Sequence, residues 1–263
     1  MTTASANLNL MIKAARRASR SLLRDFGEVE NLQVSSKAAG DFVSRADIKA
    51  EQLIREDLTE GRPNYGWLAE ESEPVPGKDP TRRWLVDPLD GTTNFLHGMP
   101  HWAISIALEH KGEVVSAVVF DPVKDEMFTA ERGAGSWVND RRMRVSDRRD
   151  MMEMVFGTGI PFAANPMLQR HLKQQAKLAP LCAGLRRWGS AALDLAYVAS
   201  GRFDGFWEIG LNPWDIGAGI LLVREAGGFV EPLTEGAPVL EGGGIIATNG
   251  EVNQQLTTLI RST

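Results

Sequence analysis

From residue 8 to residue 26, apolar side chains return every three or four positions, at Leu8, Met11, Ala15, Ala18, Leu22 and Phe26. That spacing predicts an amphipathic helix stopped by Gly27. Lys13, Arg16, Arg17 and Arg20 lie between and read as its solvated face. Ser44, with Asp47 three residues on, is a capping-box pattern that starts a second helix. The period then changes. Residues 65–69 predict a short strand delivering Glu70 and Glu71 at its end, and residues 84–86 a buried strand running into Asp87. Residues 102–109 and 114–120 read as paired strands joined around Lys111-Gly112, and 126–131 and 136–138 extend the strand-rich stretch. Helical patterns return at 167–178, at 190–200 before Gly201 and at 214–226 before Gly227. Strands at 203–207 and 244–248 alternate with them, and a last helix follows Asn249. No internal repeat, low-complexity tract or linker breaks the pattern. It implies layered α/β sheets, with a soft boundary near residues 147–151.

Composition narrows the class without choosing a function. A chain of 263 residues fits one large domain or two tightly joined halves, and 43% hydrophobic with 24% charged residues is ordinary for a globular protein. The net charge of −5 gives no global attraction to nucleic acid or an anionic membrane. A single cysteine, Cys182, excludes an internal disulfide and a multi-cysteine zinc site, and fits a reducing cytoplasm. The basic N-terminal helix has no signal-peptide core, and no apolar run approaches the roughly 20 residues of a membrane span. A soluble cytoplasmic protein is expected.

Candidate chemistry concentrates in Asp87-Pro88-Leu89-Asp90-Gly91-Thr92-Thr93. Two carboxylates held this close repel each other, so a fold that keeps both ionised places a cation between them. Gly91 and Thr92 offer backbone N–H groups and a hydroxyl where a helix can start, which suits a phosphate. Glu70 and Asp215 also stand at ends of predicted elements. Oxygen ligands of this kind suit Mg2+ or Mn2+, and two such ions about 3.5–4 Å apart clamp the attacking and leaving oxygens of a phosphoryl transfer. Taken alone, Asp215 reads as a helix cap, Glu70-Glu71 as solvent-facing and Glu208 as a surface residue. The Asp87/Asp90 pair has no such structural alternative.

Other features point away from chemistry. His97 and His101 share i, i+4 spacing, but Gly98 and Pro100 break any helix between them, so both read as loop or core residues and not as zinc ligands. His110, His171 and Cys182 have no discernible partner. Arg141, Arg142, Arg144, Arg148 and Arg149 cluster around a turn and read as a solvated or interface surface, with nucleic-acid binding disfavoured by the acidic total. Trp84, Trp102 and Trp188 sit among apolar neighbours and read as core.

On these residues the chain resembles the inositol monophosphatases of bacteria, within the lithium-sensitive, magnesium-dependent phosphomonoesterase superfamily. The family's first motif, D-P-[IL]-D-G-T-x-N-F, is similar to Asp87 through Phe95. Its second, W-D-x-[AG]-A-G, resembles Trp214 through Gly219. Ala69-Glu70-Glu71-Ser72 matches the upstream glutamate pair, with Ala69 where the family often has glycine, and Gly40 through Asp47 matches a further conserved segment. The resemblance runs from about residue 14 to residue 249.

The resemblance implies an alternating αβαβα sandwich, a single domain over residues 1–263 with sub-halves of about 1–147 for the metal and phosphate motifs and 148–263 for substrate binding. It implies roughly two or three Mg2+ ions per site, with Mn2+ as a substitute. Glu70, Asp87 and the Leu89 carbonyl would hold the first ion, Asp87, Asp90 and Asp215 the second, and Glu70 would help position a third. Thr92 with Glu70 would orient a metal-activated water for in-line attack, while Gly91 and Thr92 amides bind phosphate oxygens. No covalent intermediate is required. Gly189, Ser190, Ala191 and Glu208 match the polyol-binding positions, with Ser190 where threonine is common. The implied reaction is hydrolysis of myo-inositol monophosphate. Alternatives are fructose 1,6-bisphosphate, histidinol phosphate or 3′-phosphoadenosine 5′-phosphate as substrate, or a macromolecular partner with catalysis secondary. A homodimer is the implied assembly.

Overall fold

The computed structural model describes residues 4–28, 34–38, 41–161 and 165–263, with side chains from Ser44 onward in the second and third stretches. Gly40, the first residue of the segment ending at Asp47, lies outside the described residues. In chain order the elements are α1 (Ala6–Phe26), β1 (Val34–Ala38), β2 (Asp41–Ser44), α2 (Arg45–Gly61), β3 (Tyr65–Ala69), β4 (Asp79–Asp90), α3 (Thr92–Leu96), β5 (Ala103–His110), β6 (Glu113–Asp121), β7 (Glu126–Glu131), β8 (Gly135–Val138) and β9 (Arg141–Arg142). They continue with β10 (Val155–Thr158), α4 (Leu168–Leu178), β11 (Gly184–Arg186), α5 (Ala191–Ala199), β12 (Gly205–Ile209), α6 (Pro213–Glu225), β13 (Phe229–Pro232), β14 (Gly244–Thr248) and α7 (Asn253–Arg261).

Strand alternation builds the layers. A seven-stranded sheet has the order β3-β4-β5-β6-β7-β8-β9, and a five-stranded sheet the order β11-β10-β12-β14-β13. Successive side chains of a strand point to opposite faces. In β4, Trp84 and Val86 therefore pack with Met11, Ala15, Ala50 and Ile54 of α1 and α2, while Leu85 packs with Leu195, Ile216 and Leu222 of α5 and α6. Across that helical layer, Phe206, Ile245 and Ala247 bring the inner face of the second sheet. Its outer face, through Phe156, Trp207 and Ile246, is covered by Leu178 of α4 and Leu256 and Ile260 of α7. The result is the expected αβαβα sandwich, both sheets buried on two sides.

Local signals explain most boundaries. Ser44 and Asp47 form the capping box: Asp47 Oδ2 accepts from the Ser44 amide at 2.9 Å and from its hydroxyl at 2.5 Å. A cap of this kind stabilises a helix by about 1 kcal/mol. The strand expected at 203–207 begins later, at Gly205, because the amides of Arg202 and Phe203 both bond to Tyr197 O and close α5 with a turn. Short strands β10, β11 and β13 had no clear period in the sequence. Trp84 and Trp102 are fully buried, but Trp188 is 40% exposed and is not a core residue. It lies in the loop before α5, edge-on to His101 and Tyr197 and tilted against Phe203, so one side of the ring meets solvent.

Candidate active site

Parallel pairing of β3 with β4 sets Ala69 opposite Val86, and the Glu70 amide donates to Val86 O at 3.2 Å. Glu70 thus leaves its strand beside Asp87. On the other edge β4 pairs with β5, Asp87 opposite Ser105 and Asp90 opposite Ala103, so three steps on β4 match two on β5. This is a β-bulge, placed where Pro88 has no N–H to give the ladder. Its effect is chemical. Residues three apart on a regular strand face opposite ways, and the extra residue brings both carboxylates into one cleft. Asp87 accepts from the Leu89 amide at 2.9 Å, which holds that turn. Gly91 follows with φ +95°, and a Cβ there would lie 3.2 Å from both Gly189 O and His101 O. Only glycine fits.

Two helix N-termini reach the same place. Asp90 accepts from Ser190 Oγ at 2.5 Å, from the Ala192 amide at 2.8 Å and from the Ala191 amide at 3.3 Å, so its carboxylate caps α5. Asp215 lies in the first turn of α6, where it accepts from the Asn212 amide at 2.7 Å. The expected capping role of Asp215 is therefore present, and the residue also lines the cleft. Thr92 Oγ1 contacts Asp47 Oδ1 at 2.9 Å and Leu89 O at 3.0 Å; its one proton serves one acceptor at a time. Asp47, read from sequence as a cap and as the end of a segment resembling a family motif, is thus tied to the site by its second oxygen.

The cleft has a volume of about 250 Å³ and gathers Glu70, Asp87, Leu89, Asp90, Gly91, Thr92, Gly189, Ala191, Glu208 and Asp215 on its walls. Ser190 is buried behind it, against Asp90. Among the described residues, its lining holds five carboxylates and one basic side chain, Arg187. The imbalance shows in the protonation energetics. Burial, then repulsion from Glu70, Asp90 and Asp215, raises Asp87 well above the usual carboxylate range. Burial does the same to Asp215, with Asp90, Glu70 and Glu208 adding repulsion. Asp90 is pushed up to about 6 by burial, its bonds to Ser190 and Ala192 offsetting part of the rise.

Charges of one sign, buried together, fit a divalent cation. Carboxylate, carbonyl and water oxygens are the donor set of Mg2+, which keeps several waters and needs few protein ligands. Among the described residues, no three acidic, histidine or cysteine side chains close into a ready-made cage. The hydrogen bonds above explain it: Asp87, Asp90 and Asp215 each turn an oxygen to a backbone amide. The site is an open acidic wall that suits a hydrated ion.

Also lining the cleft, Glu208 projects from β12 beside Gly159, which follows β10. A Cβ on Gly159 would fall 1.9–2.3 Å from the Glu208 carboxyl atoms, so absence of a side chain makes room for that group. Burial pushes Glu208 up to about 8; Asp90 raises it and Arg187 lowers it. Glu208 is therefore not the surface residue its isolated context suggested. Gly159, Asn94 and the second role of Asp47 went unread in the sequence. Each depends on a partner 45 or more residues away. For Asp47 and Asn94 a signal was present, their places in segments resembling family motifs; for Gly159 there was none.

Residues 5–263 match the profile of the inositol monophosphatase family. The chain is 53% identical over 257 residues to an inositol-1-monophosphatase of Rhizobium meliloti, covering 98% of this chain and 97% of that one. It is 43% identical over 254 residues to the Nus factor SuhB of Escherichia coli, covering 97% and 95%. A crystal structure of the extragenic suppressor protein suhB from Bartonella henselae superposes with a TM-score of 0.95 at 51% identity, over 98% of this chain and 99% of that one.

Proposed function

The chain belongs to the inositol monophosphatase family, and from that premise we propose that it is a Mg2+-dependent phosphomonoesterase releasing phosphate from myo-inositol monophosphates. One observation carries the reading: a bulge and two helix N-termini bring Glu70, Asp87, Asp90 and Asp215 to one cleft, with Thr92 and Glu208 also on its walls. Glu70, Asp87, Asp90, Asp215 and the Leu89 carbonyl would hold the metal. When bound, Mg2+ lowers the pKa of water and neutralises charge on the phosphoryl oxygens.

The chain's own residues supply orientation. Gly91 and Thr92 stand at the start of α3, where amide N–H groups have no intrahelical acceptor and are free for phosphate oxygens. Thr92 Oγ1, anchored by Asp47, has lone pairs left to accept from the attacking water, and Glu70 is the base that receives its proton. Glu208 can accept from two vicinal hydroxyls of a polyol, and Gly189 and Ala191 line the same cleft with Ser190 buried behind them. Inversion at phosphorus by direct attack follows, with no covalent enzyme intermediate.

A phosphate-release panel tests the substrate: myo-inositol 1-phosphate, fructose 1,6-bisphosphate, histidinol phosphate and 3′-phosphoadenosine 5′-phosphate. The inositol ester is expected to give the highest kcat/KM. A different winner would keep the phosphatase and replace its substrate. A second reading, a protein partner in addition to catalysis, is favoured by the likeness to a Nus factor. The arginine cluster offers it less than the sequence suggested, because Arg148 pairs with Asp204 and Arg149 with Glu251. Arg141 and Arg144 remain exposed, and a pull-down with both neutralised is expected to lose partners. No helix among the described residues is long and apolar enough to cross a membrane, which fits the proposed cytoplasmic location. A homodimer is the proposed assembly, to be read by light scattering.

A further inference from the structure

We infer that Asn94 is a positioning residue, which locks the substrate loop ahead of α5 to the phosphate-binding turn so that the two act as one. Asn94 sits in α3, is buried, and contributes no surface to the cleft. Its side-chain amide nitrogen donates to His101 O and to Trp188 O, each at 2.7 Å. Those two bonds use both amide hydrogens. One ties α3 to the entry of β5, and the other crosses 94 residues of sequence to the substrate loop.

The bond to Trp188 controls orientation and not only distance. A trans peptide is planar, so fixing the Trp188 carbonyl also fixes the N–H of Gly189 on the opposite side of the same plane. Gly189 lines the cleft, and Ser190 and Ala191, its next two residues, form the start of α5 against Asp90. Ser190 and Ala191 hold the far end of the loop to Asp90, while at its near end Trp188 is 40% exposed and Arg187 is exposed, so the Asn94 bond fixes the near end. Space confirms the tight fit, since a Cβ on Gly189 would lie 3.3 Å from the Asn94 amide nitrogen. Asn94 spends its side-chain donors on the carbonyls of His101 and Trp188, so its effect falls on the leaving-group side.

The inference rests on the polyol-phosphatase reading above. Its test compares two substrates in wild type, Asn94→Ala and Asn94→Asp: myo-inositol 1-phosphate, which needs the loop, and 4-nitrophenyl phosphate, which offers no polyol. Asn94→Asp keeps size but loses both N–H donors. For both variants, KM for the inositol ester is expected to rise about tenfold with kcat changed less than about threefold, because a small misplacement of a binding loop suffices for such a loss. The aryl ester is expected to keep its wild-type kcat/KM, and Mg2+ activation its wild-type midpoint. Equal losses on both substrates, or none on either, overturn the inference, and so does a lost Mg2+ response. If Asn94→Ala fails to fold, Asn94→Asp carries the same comparison, and failure of both to fold makes Asn94 a stability residue and overturns the inference. Failure of wild type to hydrolyse the inositol ester overturns the underlying reading instead.

Discussion

The two groups of residues that line the cleft are assembled in different ways. The acidic group comes from neighbouring strands and one short motif: Glu70 at the tip of β3, Asp87 and Asp90 either side of a bulge in β4. Asp215 alone arrives from far along the chain. The group proposed to bind the polyol has no such local origin. Glu208 comes from the second sheet, its space from a bare Gly159, and its facing loop from the turn before α5. Chemistry that must hold charge is encoded compactly, and specificity is assembled by packing of distant elements.

If that division is right, substitutions in the two groups should fail differently. The largest effect is expected from Asp87→Asn, which removes a charge from the acidic wall while keeping its shape. Phosphate release should fall about 10³-fold on every substrate, the scale of losing one strong electrostatic contact to the transition state, with thermal unfolding little changed. Asp90→Asn is a harsher and less clean variant, because Asp90 also caps α5 through Ser190 and Ala192. It is expected to lose stability as well as turnover.

Next comes Gly159→Ala. Its Cβ displaces the Glu208 carboxyl, so it should behave like Glu208→Ala although it adds no charge and removes none. Both are expected to lower kcat/KM for the inositol ester about 10- to 100-fold and to spare 4-nitrophenyl phosphate. A Gly159→Ala enzyme with wild-type preference would show that Glu208 does not select the polyol.

A smaller effect concerns pH. Asp90 at about 6 and Glu208 at about 8 both stand above their unfolded values of 3.8 and 4.5. The folded state therefore holds more protons than the unfolded one, and stability is lost as pH rises. That contribution is complete below about pH 4 and disappears through pH 6–8. Metal-stripped protein should melt at a lower temperature at pH 8 than at pH 5, and Mg2+ should raise Tm more at pH 8. A Tm of stripped protein that rises over this interval would contradict the buried-charge account. The smallest effect is expected for Ser190→Thr, which keeps the hydroxyl bonded to Asp90, with kcat/KM within about threefold of wild type.

The same division explains what could be read in advance. Capping at Ser44, the strand Tyr65–Ala69, the hairpin around Lys111-Gly112 and every long helix follow from local period and end signals, and all are present. Glu70, Asp87, Asp90, Thr92 and Asp215 were singled out from the sequence at the ends of expected elements, and the structure brings them to one cleft. The bulge that turns Asp87 and Asp90 the same way was not, although Pro88 was its visible cause. Trp188 was misread because apolar neighbours in sequence do not bury a side chain in a loop. Gly159 has no sequence signature, and Asn94 has only its place in the first motif, which does not say what it bonds to. Their roles exist only after two sheets and the helices between them have packed.

Turnover before and after metal removal tests the central claim most directly. Protein stripped with EDTA and dialysed should release no phosphate from myo-inositol 1-phosphate, and added Mg2+ should restore full activity to wild type but not to Asp87→Asn. Full activity in stripped wild-type protein, or restoration in Asp87→Asn, would show that the acidic wall is not a metal-dependent catalytic centre.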